Sequence, residues 1–174
     1  MNSVAWLNAL EPKEAEPEFL KCCGSKSWAR RMVKERPFSD LNDLLGQADR
    51  IWWSLTAADW LEAFRSHPKI GEKKAEQEQS AAAKSWSEQE QAGARDSAWE
   101  TMEALAVGNR EYAERFGYIF IVCATGKSSE EMLAILQERL HNSPNDELRV
   151  AAEEQLKITH LRLQRLFGNR GFET

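Results

Sequence analysis

The sequence predicts an all-α fold: a single-domain helical bundle of about eight helices with one short extended segment at residues 118–124. Apolar residues recur at helical spacings of three and four along most of the chain. Capping residues and prolines stand where these stretches begin or end. Only the run at 118–124 is apolar without that spacing, and a single run without a partner does not make a sheet.

In the first half of the chain, capping residues and breakers separate the predicted helices. Side-chain oxygens at a helix start accept hydrogen bonds from the first free backbone N–H groups. Gly24 ends the second apolar stretch and Pro37 stops the third. The capping candidates are Ser3, Ser27, Asp40 and Thr56, which precede apolar residues at 4–10, 28–35, 41–53 and 57–64.

In the second half, residues 72–84 contain no large apolar residue and are expected to form a solvated loop or a frayed helix. A long helix follows, and Gly108-Asn109 is predicted to break it. Ser128 has capping-box spacing to Glu131, and Pro144 suits the first turn of a last helix. The predicted helices of this half cover residues 87–107, 110–116, 129–140 and 144–167.

His67 is the strongest candidate for chemistry that the residues themselves indicate. It follows an amphipathic helix, and Pro68 disfavours the α conformation at the residue before it. The imidazole is therefore expected at a helix exit, where its protonated form is favoured. A titrating ring at a fixed position suits acid–base catalysis. The alternative is a surface histidine at an ordinary helix stop, and these residues alone leave it open.

Composition bounds the class of protein. The 174 residues, 42% of them hydrophobic, predict one domain over residues 1–174 with its own core. The formal net charge of −5 argues against a general nucleic-acid binder. No apolar run has the length of a membrane span, and neither a secretory signal nor a C-terminal peroxisomal tripeptide is present. We therefore expect a cytoplasmic protein that has no membrane partner.

The cysteines and histidines predict no metal site. Cys22, Cys23 and Cys123 form no CxxC pair, and the histidines stand alone, so no cluster has metal-ligand spacing. Reduced thiols are the simple interpretation. Cys123 lies in an apolar run and is expected to be a core thiol rather than a nucleophile.

Three further groups have both a structural and a functional interpretation. Ser85 and Glu88 can cap the long helix, or their turn can bind a polar ligand. Arg162 lies on the apolar side of the last helix, where it needs a carboxylate from a substrate or from the protein itself. Asn109 and the extended segment can offer polar groups to a flat heterocycle.

Four motifs together resemble the 2-oxo-4-hydroxy-4-carboxy-5-ureidoimidazoline (OHCU) decarboxylase family. Their order and spacing match across nearly the whole chain, although any one motif would be weak. The motifs are His67-Pro68-Lys69-Ile70-Gly71, Ser85-x-x-Glu88-Gln89 with Ala92-Gly93, Asn109-x-x-Tyr112-x-x-Arg115-Phe116-Gly117-Tyr118-x-Phe120-Ile121, and Lys157-Ile158 with Arg162-Leu163.

The resemblance implies a helical enzyme of uric acid degradation that decarboxylates its small-molecule substrate to (S)-allantoin without a cofactor. Members of the family are often homodimers. Carried over by motif, His67 is the catalytic imidazole, Glu88 its acidic companion and Arg162 the cation that anchors the substrate. The remaining substrate-binding positions are Pro68, Ser85, Gln89, and the backbone around Phe120 and Ile121.

Two other functions remain open at this point. Trp52-Trp53 and the acidic surface suggest a non-enzymatic helical interaction module that binds a partner through an exposed aromatic patch. A related lyase acting on another ureido or imidazole compound is the second alternative.

Overall fold

Eight α-helices are present in residues 3–67 and 92–168, the parts of the chain that the computed structural model describes, and these parts contain no β-strand. The all-α prediction is therefore confirmed. The helices are α1 (Ser3–Ala9), α2 (Pro12–Cys22), α3 (Lys26–Lys34), α4 (Leu41–Ser54), α5 (Ala57–Arg65), α6 (Ala92–Phe116), α7 (Ser129–Arg139) and α8 (Pro144–Gly168).

The described residues fall into two compact units. Unit 1 contains residues 3–66 and 150–168, and unit 2 contains residue 67 and residues 92–149. One boundary lies between Ser66 and His67, and the other lies within α8, between Arg149 and Val150. The single-domain organisation of residues 1–174 stays a prediction.

Buried tryptophans dominate the interior of unit 1. Trp28 is fully buried, and its Nε1 donates a hydrogen bond to the carbonyl of Ala48 at 3.2 Å. Trp52 is 1% exposed, and its Nε1 donates to the carbonyl of Ala152 at 3.0 Å. Each ring therefore buries a large apolar area while its polar atom keeps a partner. Because Trp52 is buried, it is not available to an aromatic docking patch.

In unit 2, α6, α7 and the extended segment share one apolar cluster. Its buried members are Leu105, Tyr112, Phe120, Val122 and Leu136. The segment at 118–124 is neither helical nor paired with a strand within the described residues, as the sequence predicts. Its side chains, rather than a ladder of backbone hydrogen bonds, hold it against the helices.

Several helix boundaries agree with the predictions. The Asp40 side chain accepts a hydrogen bond from the Asp43 N–H at 2.8 Å, and Ser128 accepts one from the Glu131 N–H at 3.1 Å. Thr56 and Asp59 form a reciprocal capping box at the start of α5. These contacts pair N–H groups that have no partner inside the helix.

The predicted cap of α3 is wrong. Ser25, not Ser27, is the N-cap residue, and its hydroxyl accepts a hydrogen bond from the Trp28 N–H at 3.2 Å. Ser25 is fully buried. Both serines have a hydroxyl that can cap a helix. Because α3 begins at Lys26, Ser27 lies inside its first turn and Ser25 is left as the cap. Burial of Ser25 and Trp28 favours this choice, since the Trp28 N–H needs a partner there.

The predicted break at Gly108-Asn109 is also wrong, because α6 runs uninterrupted to Phe116. A Cβ atom at position 108 would lie 2.6 Å from Cδ2 of Leu136, so the glycine permits close packing of α6 against α7. The Asn109 side chain donates to the carbonyl of Leu105 at 2.8 Å within the same helix. Tertiary packing thus overrides two local breaker signals.

The remaining predictions about segments have mixed outcomes. The loop or frayed helix at 72–84 and the first residues of the helix predicted from Ser87 lie outside the described residues. Across the described helices, none combines the length and the apolar character needed to cross a bilayer. Cys123 is buried, as expected of a core thiol.

The vicinal thiols Cys22 and Cys23 are buried in unit 1. Burial raises the pKa of Cys22 to about 12 and the pKa of Cys23 to about 11. The positive charge of Arg162 acts in the opposite direction on both thiols but is outweighed. Both cysteines are therefore protonated and unreactive at neutral pH.

We expect Gly24→Ala to destabilise the protein by about 1–3 kcal/mol, because the new Cβ would overlap the Cβ and Oγ of Ser66 at the end of α5. Urea unfolding followed by far-UV circular dichroism measures this change. Gly46→Ala is the matched control: position 46 lies within α4 and has open space, so alanine should stabilise it by about 0.5–1 kcal/mol. Equal effects of the two variants would contradict the packing argument.

We expect the free energy of unfolding to fall as the pH rises from about 9 towards 12. The unfolded thiols have pKa values near 9.0 and lose their protons first, whereas the folded thiols keep theirs, so alkali favours the unfolded state. Urea midpoints at pH 7.5, 9 and 10.5 check this. The variant Cys22→Ala/Cys23→Ala should show a shallower decline, and an identical decline would refute the assignment to these thiols.

Candidate active site

His67 lies immediately beyond the C-cap of α5. The helix ends at Arg65, and Ser66 closes it: the Ser66 hydroxyl donates to the carbonyl of Ala63 at 2.6 Å. His67 itself is half-buried. The position predicted from Pro68, just outside a helix, is therefore confirmed, and the capping box together with the Ser66 contact holds both ends of the helix that precedes the imidazole.

Arg162 lies on α8, within unit 1, and is half-buried. The side chains of Thr159 and Leu163 on the same helix are buried, so this part of α8 faces the interior of the unit. The guanidinium is close enough to Cys22 and Cys23 to act on their pKa values. A cation so placed has lost much of its hydration and favours a negatively charged or strongly polar partner.

Phe120 and Ile121 belong to unit 2, where they are 3% and 2% exposed. The carbonyl of Ile121 accepts a hydrogen bond from Nη1 of Arg139 at 2.6 Å. The backbone N–H groups of Phe120, Ile121 and Val122 donate to no acceptor within the described residues. Buried N–H groups are costly unless they are paired, so these three are the donors that a polar ligand would satisfy.

A buried polar network holds the carbonyl of Ile121. Nε of Arg139 donates a hydrogen bond to Oε1 of Glu147 at 2.7 Å, and Nη2 of Arg139 lies 2.6 Å from the same oxygen. The Tyr112 hydroxyl donates to that oxygen as well, and the Asn142 side chain donates to Oε2 at 2.9 Å. Glu147 is fully buried and Arg139 is 5% exposed, so each charge depends on the other.

The aromatic rings around Arg139 complete this network. The guanidinium lies over the Phe120 ring at 4.6 Å from its centroid and over the Tyr112 ring at 5.8 Å. Burial, with the hydrogen bond to Glu147, raises the pKa of Tyr112 far above its usual value, so the hydroxyl stays protonated and remains a donor. Arg139 thus binds both the backbone and the side chain of the extended segment.

Sequence reasoning missed Arg139 and Glu147. The signal for Arg139 was available, because it follows Leu136 by three positions on a helix with an apolar stripe, the same criterion that singled out Arg162. Glu147 stands in the first turn of α8, where an acidic residue is ordinary. Nothing in the local pattern shows that its carboxylate is buried.

Pro68, Ser85, Glu88 and Gln89 lie outside the described residues. His67 and Arg162 belong to different units. The convergence of His67, Glu88 and Arg162 on one cavity therefore stays a prediction.

Two open grooves lie between α6 and α7 in unit 2, with volumes of about 970 and 550 Å³. The predicted site residues line neither of them. Glu111 lines both grooves. Glu114 adds a second carboxylate to the larger groove, and Glu100 and Glu103 add two to the smaller one. The three carboxylates of the smaller groove repel an anionic substrate, whereas the larger groove is also lined by Arg115 and His141.

Metal ligation finds no support in the described residues, which contain no group of three or more His, Cys, Asp or Glu side chains able to hold an ion. His141 is exposed, and Nε2 of His160 pairs with the carboxylate of Asp49. His67, of intermediate burial, differs from both in its position at the exit of α5.

Comparison with known proteins shows which family the chain belongs to. The profile of the OHCU decarboxylase family matches residues 8–164. A crystal structure of OHCU decarboxylase in the presence of (S)-allantoin is 38% identical, with a TM-score of 0.70, and the match covers 87% of this chain and 97% of that one.

Two curated relatives extend the comparison. The uric acid degradation bifunctional protein TTL of Arabidopsis thaliana is 41% identical over 157 residues, which are 89% of this chain and 48% of that protein. The OHCU decarboxylase of Amia calva is 38% identical over 134 residues, which are 74% of this chain and 73% of that protein. The chain thus spans about half the length of the first relative and nearly three quarters of the second. It belongs to the OHCU decarboxylase family.

Proposed function

We propose that this protein decarboxylates OHCU to (S)-allantoin in uric acid degradation, and that it does so without a cofactor. The observation that carries the proposal is the similarity, over 97% of its length, to an OHCU decarboxylase whose structure was determined in the presence of (S)-allantoin. The family match over residues 8–164 includes the positions of all the predicted site residues.

The chemistry explains why such a site needs no external electron sink. Loss of carbon dioxide leaves an electron pair on a ring carbon, and the adjacent imine or carbonyl system of the substrate delocalises it. The protein has to hold the carboxylate out of the ring plane and to deliver a proton to one face. Orientation and acid–base catalysis therefore supply the rate and the chirality.

His67 is the acid–base group in this proposal. Its imidazole takes the substrate hydroxyl proton and then delivers a proton to carbon from one side. The position of His67 directly after the capped end of α5 supports this role, since the helix end fixes the backbone that carries the imidazole. A single ring at a fixed position gives a single product enantiomer.

The other predicted residues bind and orient the substrate. Glu88 hydrogen-bonds a ureido or ring N–H, and Arg162 holds a carbonyl or carboxylate oxygen through two N–H groups. The unpaired N–H groups at 120–122 suit further oxygens of a ureidoimidazoline. The pocket walls in this proposal are Pro68, Ser85, Gln89, Phe120 and Ile121.

A homodimer and a cytoplasmic location belong to the same proposal. The homodimer rests on the resemblance to the family, and light scattering should then report twice the 19.9 kDa of one chain.

The cytoplasmic location rests on reduced thiols: Cys22, Cys23 and Cys123 are all free cysteines. Fractionation of the source cells tests it.

We expect His67→Ala and His67→Asn to fold normally and to lose about 100-fold or more in kcat/KM, because a positioned proton-transfer group contributes at least that factor. OHCU is generated freshly from urate by purified enzymes, and circular dichroism follows the appearance of (S)-allantoin. His141→Asn, at an exposed histidine, is the control and should keep full activity. OHCU that decays to racemic product equally fast with and without the wild-type protein would reject the function.

We expect Arg162→Lys to raise KM roughly tenfold or more, since lysine cannot reproduce a two-bond contact with an oxyanion and a lost charge-assisted bond is worth about that factor. Steady-state kinetics measure the change, and the melting temperature shows whether stability alone is affected. Arg165→Lys, at an exposed arginine on the same helix, is the matched control. Equal KM values for the two variants would exclude Arg162 from substrate binding.

A further inference from the structure

The extended segment of unit 2 lacks the usual means of fixing its backbone. No strand pairs with residues 118–124 within the described part of the chain. Among Phe120, Ile121 and Val122, the one backbone hydrogen bond to a described residue is the contact between the Ile121 carbonyl and Arg139 at 2.6 Å. The orientation of these peptide units therefore depends on Arg139.

Arg139 is itself held from several sides. Its Nε and Nη2 contact Oε1 of Glu147 at 2.7 and 2.6 Å, Nη2 lies 3.4 Å from the Tyr112 hydroxyl, and Asn142 fixes the other carboxylate oxygen. A buried ion pair contributes little to stability compared with apolar residues of the same volume. Such a pair is therefore better explained by the geometry it imposes than by stability.

We propose that Arg139 is a positioning residue for the substrate: by binding the Ile121 carbonyl it orients the peptide units at 120–122 so that their N–H groups face the ligand. This inference rests on the proposed function and adds to it a residue that touches the backbone rather than the substrate. Glu147 and Tyr112 act through Arg139: Glu147 binds the guanidinium, and the Tyr112 hydroxyl donates to the Glu147 carboxylate.

The stacking of Arg139 on Phe120 supports the same conclusion. The guanidinium contacts this ring at 4.6 Å and the next residue's carbonyl at 2.6 Å, so it restrains two consecutive residues of the segment. A ligand that binds through N–H groups at 120–122 then finds them already oriented. Binding costs less when the donors are ordered before the ligand arrives.

Arg139→Lys and Tyr112→Phe test the proposal. Lysine keeps the charge beside Glu147 but cannot bind both the carboxylate and the carbonyl in the same geometry, so we expect KM to rise about tenfold or more while kcat changes little. Tyr112→Phe removes one hydrogen bond to the Glu147 carboxylate and leaves the Arg139–Glu147 ion pair in place, so it should raise KM less, about two- to tenfold. In addition, the amide resonances of residues 120–122 should shift when (S)-allantoin is added to the wild type, and shift less in both variants.

Arg36→Lys is the matched control. Nη1 of Arg36 also binds backbone carbonyls, those of Leu7 and Leu10 at 2.9 and 2.6 Å, but within unit 1. It should lower the melting temperature and leave KM unchanged. The comparison separates the loss of an arginine–carbonyl contact, which is part-buried at Arg36, from the loss of substrate orientation.

The outcomes are distinguishable. An active wild type, with Arg139→Lys and Tyr112→Phe variants that only melt earlier and keep KM and the amide shifts, overturns the positioning role and leaves the proposed function intact. If Arg139→Lys does not fold, Tyr112→Phe decides by the same measurements. A wild type that does not consume OHCU overturns the proposed function, and the positioning role with it.

Discussion

The buried ion pair of Arg139 and Glu147 is the interaction on which the geometry of unit 2 depends. It joins the last residue of α7 to the first turn of α8 and, through the Ile121 carbonyl, to the extended segment. Removing both charges from water is costly, and the cost is offset only because nearly every donor and acceptor has a partner. A network so completely paired admits one arrangement of the three elements that it connects.

Within unit 1, packing and capping fix the helix that precedes His67. The capping box of Thr56 and Asp59 begins α5, and Ser66 ends it with a hydroxyl bond to Ala63. Gly24 lets the chain after α2 pass against Ser66, where a larger residue would overlap it. His67 therefore follows a helix whose start, end and packing neighbour are all specified by these contacts.

Arg139 and Arg162 lie in different surroundings. Arg139 has its partners within the protein: Glu147, the carbonyl of Ile121 and the rings of Phe120 and Tyr112. Arg162 lies near two protonated, neutral thiols, Cys22 and Cys23.

The sequence by itself predicted the helical class, most helix starts, the exit position of His67 and the extended segment, because caps, prolines and apolar spacing act over a few residues. The predicted helix break at Gly108 was wrong because the glycine makes room for Leu136 of α7. The predicted cap at Ser27 was wrong because the buried Ser25 caps α3 instead. The Arg139–Glu147 network was decided only by the tertiary structure. Its partners are separated by turns and helices, and no local pattern encodes which carboxylate a buried arginine will meet.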